Sequence, residues 1–282
     1  MALRIIILLC VTMLAFSANS LLARYALSST SIDPASFTLL RLASGAALLA
    51  LLLSRNGRSA LREGSFAGAL ALFIYAATLS FSYSGLDTGL GALLLFCAVQ
   101  ITMIGTGLWK GERFNLMQSV GFFGAMAGLV YLLAPGANAP DLHASVLMLA
   151  SGFAWGVYSI MGRGSTRPLA MTAGNFLRAV PFALLLSLVF IGRTHWDSAG
   201  AAAAVASGMF ASGCGYALWY HILPQLSSSV ASSVQLTVPV IASMLGWLFL
   251  DELWTLRLSV ASVLVLGGIY LVIRGANKRD AR

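Results

Sequence analysis

Long apolar runs separated by short polar breaks cover almost the whole chain. A bilayer core of about 30 Å requires about 20 apolar residues in a helix, and charges, prolines and glycines delimit ten segments of this kind. They are 4–27, 34–54, 64–84, 88–109, 114–134, 142–162, 170–192, 198–220, 228–250 and 257–274. The pattern therefore predicts an all-α integral membrane protein with ten transmembrane helices and no separate soluble domain.

The composition excludes several other classes of protein. The chain is 59% hydrophobic and 9% charged, whereas soluble domains carry about 25% charged residues. Its net charge of +8 comes from basic residues scattered singly, so no nucleic acid is expected as a partner. No Cys/His cluster has metal-ligand spacing and no phosphate-binding P-loop occurs. We therefore expect no metal, no cofactor and no ATP-driven transport by this chain alone.

The distribution of Lys and Arg predicts the orientation in the membrane. Basic residues of short loops concentrate on the cytoplasmic side. Twelve Lys and Arg residues fall on the side of the N-terminus and three on the other side, Arg24, Arg193 and Arg257. The bias predicts an even number of helices, with both termini in the cytoplasm. The expected location is a bacterial-type inner membrane.

The two halves of the chain resemble each other. Arg41 follows Phe16 by 25 residues, and Arg178 follows Phe153 by the same interval. This similarity predicts a first five-helix repeat over 1–137 and a second over 138–282, which makes the first segment a working helix rather than a cleaved signal peptide. Because five is odd, the second repeat is expected to be inverted. Inverted repeats are typical of secondary transporters with a central binding site between the repeats.

Two matching turns carry a resemblance to a known family. Gly111-Glu112-Arg113 and Asp251-Glu252-Leu253 are each followed by an apolar helix with a glycine-rich end, and Pro239 lies within the ninth segment. In these features the chain resembles the drug/metabolite transporter superfamily, in its ten-helix EamA-type branch. It is similar within that branch to exporters of aromatic amino acids and methyl viologen. The resemblance implies ten helices around a central cavity and the export of small organic molecules by alternating access.

Aromatic and uncharged polar residues at membrane depth are the candidates for substrate binding. Aromatic rings can stack on a planar substrate or contact a cation, although lipid-facing and interfacial positions also attract them. Amides at this depth need either a partner helix or a wet cavity. The predicted substrate-binding residues are Phe16, Asn19, Tyr75, Gln100, Trp155, Tyr158, Tyr216, Trp219 and Gln235.

Charged residues inside or beside the segments allow two interpretations each. Arg41 and Arg178 could recognise an anionic group, but snorkelling to the interface is favoured because each lies about two turns from a segment end. Glu112 and Glu252 could couple transport to protons. Their position at tight turns favours a carboxylate placed at a helix N-terminus.

Together with the candidate residues, the resemblance implies a secondary transporter that exports amino acids, preferably aromatic ones, and related metabolites. The alternatives are an exporter of drugs or aromatic cations and a carrier similar to nucleotide-sugar transporters. An intramembrane enzyme or sensor is disfavoured, because the sequence contains neither a catalytic constellation nor an output domain. The expected partners are a small-molecule substrate and membrane lipid, and the expected state is a monomer or a weak homodimer.

Overall fold

The computed structural model describes residues 2–54, 63–109, 111, 113–136, 139–162, 165–226 and 234–280. Helices and short connections account for all of these residues. The helices are α1 Ala2–Ser29, α2 Pro34–Ser54, α3 Phe66–Tyr83, α4 Thr88–Trp109, α5 Leu116–Leu133, α6 Leu142–Gly162, α7 Pro168–Val189, α8 Ser198–Gln225, α9 Thr237–Leu250 and α10 Leu256–Asp280. The prediction of an all-α membrane protein is confirmed.

Nine of the ten described helices are long and apolar enough to cross a membrane. The exception, α9, is a shorter apolar helix, and part of the predicted segment 228–250 lies outside the described residues. Local sequence fixes several boundaries. Ser65 and Asn115 cap α3 and α5 through their side chains, and Pro168 occupies the first turn of α7, where its missing N–H costs nothing.

The packing of the helices follows a two-fold pattern. α2 packs on α7, α4 on α9 and α5 on α10, while the contacts of α6 with α3 and α4 repeat as contacts of α1 with α8 and α9. Exchanging each helix with the one five places later leaves this set unchanged. A two-fold relation between two halves produces such a pattern, and the inversion of the second half stays a prediction. The division between residues 137 and 138 stays a prediction, and both residues lie outside the described part.

The eighth helix contains a feature that the apolar pattern does not reveal. Residues Ser207–Cys214 form a π-helical segment between the α-helical parts Ser198–Ala206 and Gly215–Ile222. The segment is rich in small residues and packs on α1 and α2. A π-helical segment changes the direction in which the side chains after it point around the helix axis. Such segments often lie at functional sites.

Candidate binding cavity

A cavity of about 520 Å³ lies inside the helix bundle. Small-molecule sites are usually about 300–1,000 Å³ in volume. The cavity is bounded by α1, α3, α4, α6 and α8, and it reaches Ser165 and Pro168 between α6 and α7 and Pro224 at the end of α8. We call this end of the bundle, with the α2–α3, α6–α7 and α8–α9 connections, the mouth end.

All nine residues predicted from the sequence line this one cavity. They are Phe16, Asn19, Tyr75, Gln100, Trp155, Tyr158, Tyr216, Trp219 and Gln235. The structure thus brings together side chains from six of the ten helices or their immediate flanks, although their role in substrate binding stays a prediction. The lipid-facing alternative for Tyr216 and Trp219 is wrong, because their exposed fractions are only 5% and 8%.

Aromatic rings form a continuous wall of the cavity around Trp155. Its ring centroid lies 4.9 Å from that of Tyr75, and it stacks on Tyr158 and Tyr216 at 5.3 Å in each case. Phe16 contacts Tyr216 in turn at 5.9 Å. Offset and tilted ring pairs at these distances are attractive, so the wall holds its shape and presents flat apolar faces to the cavity.

A polar cluster lies at one side of this wall, around the hydroxyl group of Tyr75. The Tyr75 Oη accepts hydrogen bonds from Arg41 Nη2 at 3.0 Å and from Asn19 Nδ2 at 3.3 Å. The Ser207 hydroxyl, at the start of the π-helical segment, donates to Asn19 Oδ1 at 2.7 Å. Helices α1, α2 and α3 therefore meet at the Tyr75 hydroxyl, and α8 joins the cluster through Asn19.

The two membrane-embedded arginines behave differently. The interpretation of Arg41 as a snorkelling residue is wrong: its exposed fraction is 2%, and its guanidinium carbon lies 5.1 Å from the centre of the Tyr75 ring. Arg41 points inward because α3 and α8 pack against α2 and leave it no path to the interface. Arg178 instead donates to the backbone carbonyl of Glu63, in the α2–α3 connection, as snorkelling requires.

A second polar cluster lies nearer the mouth end. Tyr158 donates to the Thr172 hydroxyl at 3.3 Å and accepts from the Asn175 side chain at 3.4 Å. Thr172 also contacts the Tyr220 hydroxyl at 3.4 Å. Among the described residues that line the cavity, none is Asp, Glu, Lys or Arg. The wall is thus aromatic and neutral, and its nearest buried charge is Arg41 behind Tyr75.

The opposite end of the bundle, with the α3–α4 and α9–α10 connections, is closed by charged groups, and we call it the charged end. Arg24 donates to Glu252 Oε1 and Asp87 Oδ1, both at 3.2 Å, and to the Tyr83 carbonyl at 3.0 Å. Glu252 also accepts from the backbone N–H of Thr88 at 2.9 Å and from its hydroxyl at 3.1 Å. Tyr83 and Thr88 are fully buried here.

Glu252 therefore lies at a helix N-terminus, but at that of α4 rather than that of its own helix. Its carboxylate faces the first free N–H groups of α4, where the helix dipole favours a negative charge. Burial nevertheless raises the pKa of the carboxyl above its ordinary value, and the hydrogen bonds from Thr88 and the charge of Arg24 only partly oppose this. The equivalent Glu112 lies outside the described residues.

These observations define a class: a helical membrane protein with an internal cavity lined by aromatic and uncharged polar side chains. Residues 143–274, which span α6 to α10, match the EamA-like transporter family. The chain belongs to this family, and with it to the drug/metabolite transporter superfamily.

Similar proteins support this assignment. The chain is 51% identical over 280 residues to an uncharacterized protein of Pseudomonas aeruginosa, covering 99% of this chain and 98% of the relative. It is 26% identical over 217 residues to a protein of Escherichia coli named as a probable amino-acid metabolite efflux pump, covering 70% and 71%. A solved crystal structure is similar in fold, with a TM-score of 0.66 at 20% identity over 96% of this chain and 99% of the other.

Proposed function

We propose that the protein is a secondary transporter that exports amino acids, preferably aromatic ones, by alternating access. The observation that carries the proposal is the cavity of about 520 Å³ whose wall is built on Trp155 and its three ring contacts. Planar side chains of a substrate can stack on such faces. The relative named as a probable amino-acid metabolite efflux pump supports amino acids as the substrate class.

Export is the direction that the named efflux-pump relative supports, and the orientation that we propose for the chain is compatible with it. With both termini in the cytoplasm of a bacterial-type inner membrane, the mouth end faces the cytoplasm and the charged end faces outward. A substrate then enters from the cytoplasm and contacts the aromatic wall. Rocking of the two halves closes the mouth end and separates the contacts of Arg24 and Glu252, which opens the cavity to the outside.

The lining disfavours the alternative substrates. An exporter that exchanges aromatic cations for protons needs a carboxylate inside the membrane, and none lines the cavity among the described residues. A nucleotide-sugar carrier needs basic groups for the phosphates, and the described lining has no Lys or Arg. An amino acid with an aromatic side chain suits a neutral, ring-lined cavity better than either.

Uptake into liposomes tests the proposal. Purified protein is reconstituted, and uptake of labelled phenylalanine, tyrosine, tryptophan, threonine and methionine is compared with that of empty liposomes. We expect saturable uptake of the aromatic amino acids and a loss of about tenfold or more in Trp155→Ala, since a stacked ring contributes about 0.5–1.5 kcal/mol beyond its buried area.

Trp247→Ala is the matched control. Trp247 lies on α9 with 60% of its surface exposed and does not line the cavity, so its removal should leave uptake unchanged. Flat uptake of all five amino acids by folded, inserted protein would reject amino acids as the substrate class. Equal losses in the two tryptophan variants would reject the aromatic wall as the binding surface.

A further inference from the structure

The buried guanidinium of Arg41 lacks a counter-charge in the described part of the chain. Its Nε and Nη1 atoms have no hydrogen-bond partner there, and its one side-chain bond joins Nη2 to the Tyr75 hydroxyl. No described Asp or Glu forms an ion pair with it. Buried charges in proteins are ordinarily paired and hydrogen-bonded because desolvation is costly. An excess positive charge is thus held next to the cavity wall.

The hydrogen bonds of Tyr75 determine what it offers to a ligand. A phenolic hydroxyl has one proton to donate and two lone pairs to accept with. Arg41 and Asn19 both donate to this oxygen, so they occupy its accepting capacity. The O–H proton has no acceptor among the described residues, and Tyr75 lines the cavity. The hydroxyl is therefore a hydrogen-bond donor, polarised by the guanidinium behind it.

The orientation of the Asn19 amide agrees with this role of the Tyr75 hydroxyl as a donor. Its oxygen accepts from Ser207, and its amide nitrogen faces Tyr75. The Ser151 hydroxyl donates to the Tyr75 backbone carbonyl at 2.9 Å, which fixes α3 against α6 at this residue. The ring of Tyr75 is also held against Trp155. The donor is thus positioned before any ligand binds.

We infer that this side of the cavity binds the carboxylate of the substrate, with the Tyr75 hydroxyl as the donor and Arg41 as the charge that selects an anion. The inference rests on the proposed function for the identity of the substrate, and it narrows the class to aromatic molecules with a carboxylate. Arg41 is a positioning residue because it acts through Tyr75. Aromatic amines without a carboxylate meet a positive charge here and bind weakly.

Binding of three related probes to the purified full chain tests the inference. L-phenylalanine carries a carboxylate and an amine, 3-phenylpropionate only the carboxylate, and phenethylamine only the amine. We expect the two carboxylates to bind at least about tenfold more tightly than phenethylamine, since a hydrogen bond to a charged group contributes about 1.5–3 kcal/mol, equal to about tenfold to a hundredfold in affinity.

Tyr75→Phe separates the hydroxyl from the ring. The variant keeps the contact with Trp155 and removes only the donor, so affinity for both carboxylates should fall by about tenfold to a hundredfold while that for phenethylamine stays constant. Arg41→Gln should have the same selective effect, and Arg41→Lys should restore part of the preference because the charge returns. Tyr131→Phe, on the surface of α5, is the matched control outside the cavity.

Each outcome decides the inference. Equal binding of phenethylamine and 3-phenylpropionate, an equal loss for all probes in Tyr75→Phe, or no binding of any probe overturns it. Its failure is distinct from failure of the proposed function. Flat amino-acid uptake with a carboxylate preference that Tyr75→Phe abolishes rejects the function and keeps the inference. Saturable uptake with no carboxylate preference keeps the proposed function and rejects the inference.

Discussion

The two ends of the bundle are held together in different ways. At the charged end, the side chains of Arg24 and Glu252 are 19% and 11% exposed, and each makes further hydrogen bonds. At the mouth end, Arg167 and Glu63 form an ion pair at the same distance, 3.2 Å, but are 61% and 33% exposed. Exposed ion pairs contribute about 0–1 kcal/mol. The charged end is therefore the more firmly closed of the two.

Such a contrast lets one structure favour one side of a transport cycle. Alternating access, as proposed, requires the two ends to open in turn. The cavity already extends to the mouth end, whereas opening the charged end must break the contacts of Glu252 with α1 and α4 together. Variants that weaken one end or the other test whether this contrast is real.

The largest effect is expected for Glu252→Ala. The change removes the acceptor of the Thr88 bonds and the partner of Arg24, and leaves those donors without a replacement. We expect a loss of about 2–3 kcal/mol in the free energy of unfolding, measured in mixed detergent micelles. Glu63→Ala, the equivalent change at the mouth end, should cost less than about 1 kcal/mol. Equal losses would remove the contrast between the ends.

A smaller effect is expected from the close approach of α4 and α9 at the charged end. A Cβ atom at Gly89 would overlap the side chain and backbone of Ser243, whereas one at Gly124 would meet no atom within 4 Å. Gly89→Ala should therefore destabilise the protein by about 1–3 kcal/mol. Gly124→Ala should stabilise it slightly, because Ala favours the helix by up to about 1 kcal/mol. Unfolding of both variants in the same micelles gives the comparison, and effects of the same sign would contradict it.

The sequence predicts the fold well because lipid imposes a simple rule: each spanning segment must be a long apolar helix. It also identifies nine of the residues that line the cavity, since polar groups at membrane depth must be satisfied inside the protein. What it misses depends on contacts between distant positions. The burial of Arg41 follows from Tyr75, 34 residues away, and Glu252 caps α4 across 164 residues.

The π-helical segment illustrates a second limit of the sequence. Residues 207–214 read as an ordinary run of small and apolar residues within a longer apolar stretch. Neither periodicity nor composition distinguishes a π-helical turn from an α-helical one there. The bond from Ser207 to Asn19 becomes visible only once α8 packs against α1. The presence of each helix thus follows from its local sequence, whereas the polar cluster of the cavity depends on how the helices pack together.

The smallest effect concerns pH, and it separates the charge of Glu252 from its role as an acceptor. Burial raises the pKa of this carboxyl, so the folded state binds the proton more tightly than the unfolded state. The stabilisation that this tighter proton binding contributes is fully present below the ordinary pKa of the carboxyl, and it is lost as the pH rises through the raised pKa of the folded state. Glu252→Gln keeps an oxygen that can accept from Thr88 but does not titrate. The wild type should therefore lose stability relative to this variant as the pH rises.

Thermal unfolding of both proteins between about pH 4 and pH 7.5 measures the effect, and we expect the melting temperature of the wild type to fall relative to that of Glu252→Gln as the pH rises. All other titrating groups are shared, so the difference between the two melting temperatures isolates Glu252. A difference that instead moves in favour of the wild type with rising pH would mean that attraction to Arg24 outweighs desolvation. The charged end would then be held closed mainly by its charges. The expected fall in the relative melting temperature of the wild type would instead indicate that the hydrogen bonds at the start of α4 hold it closed.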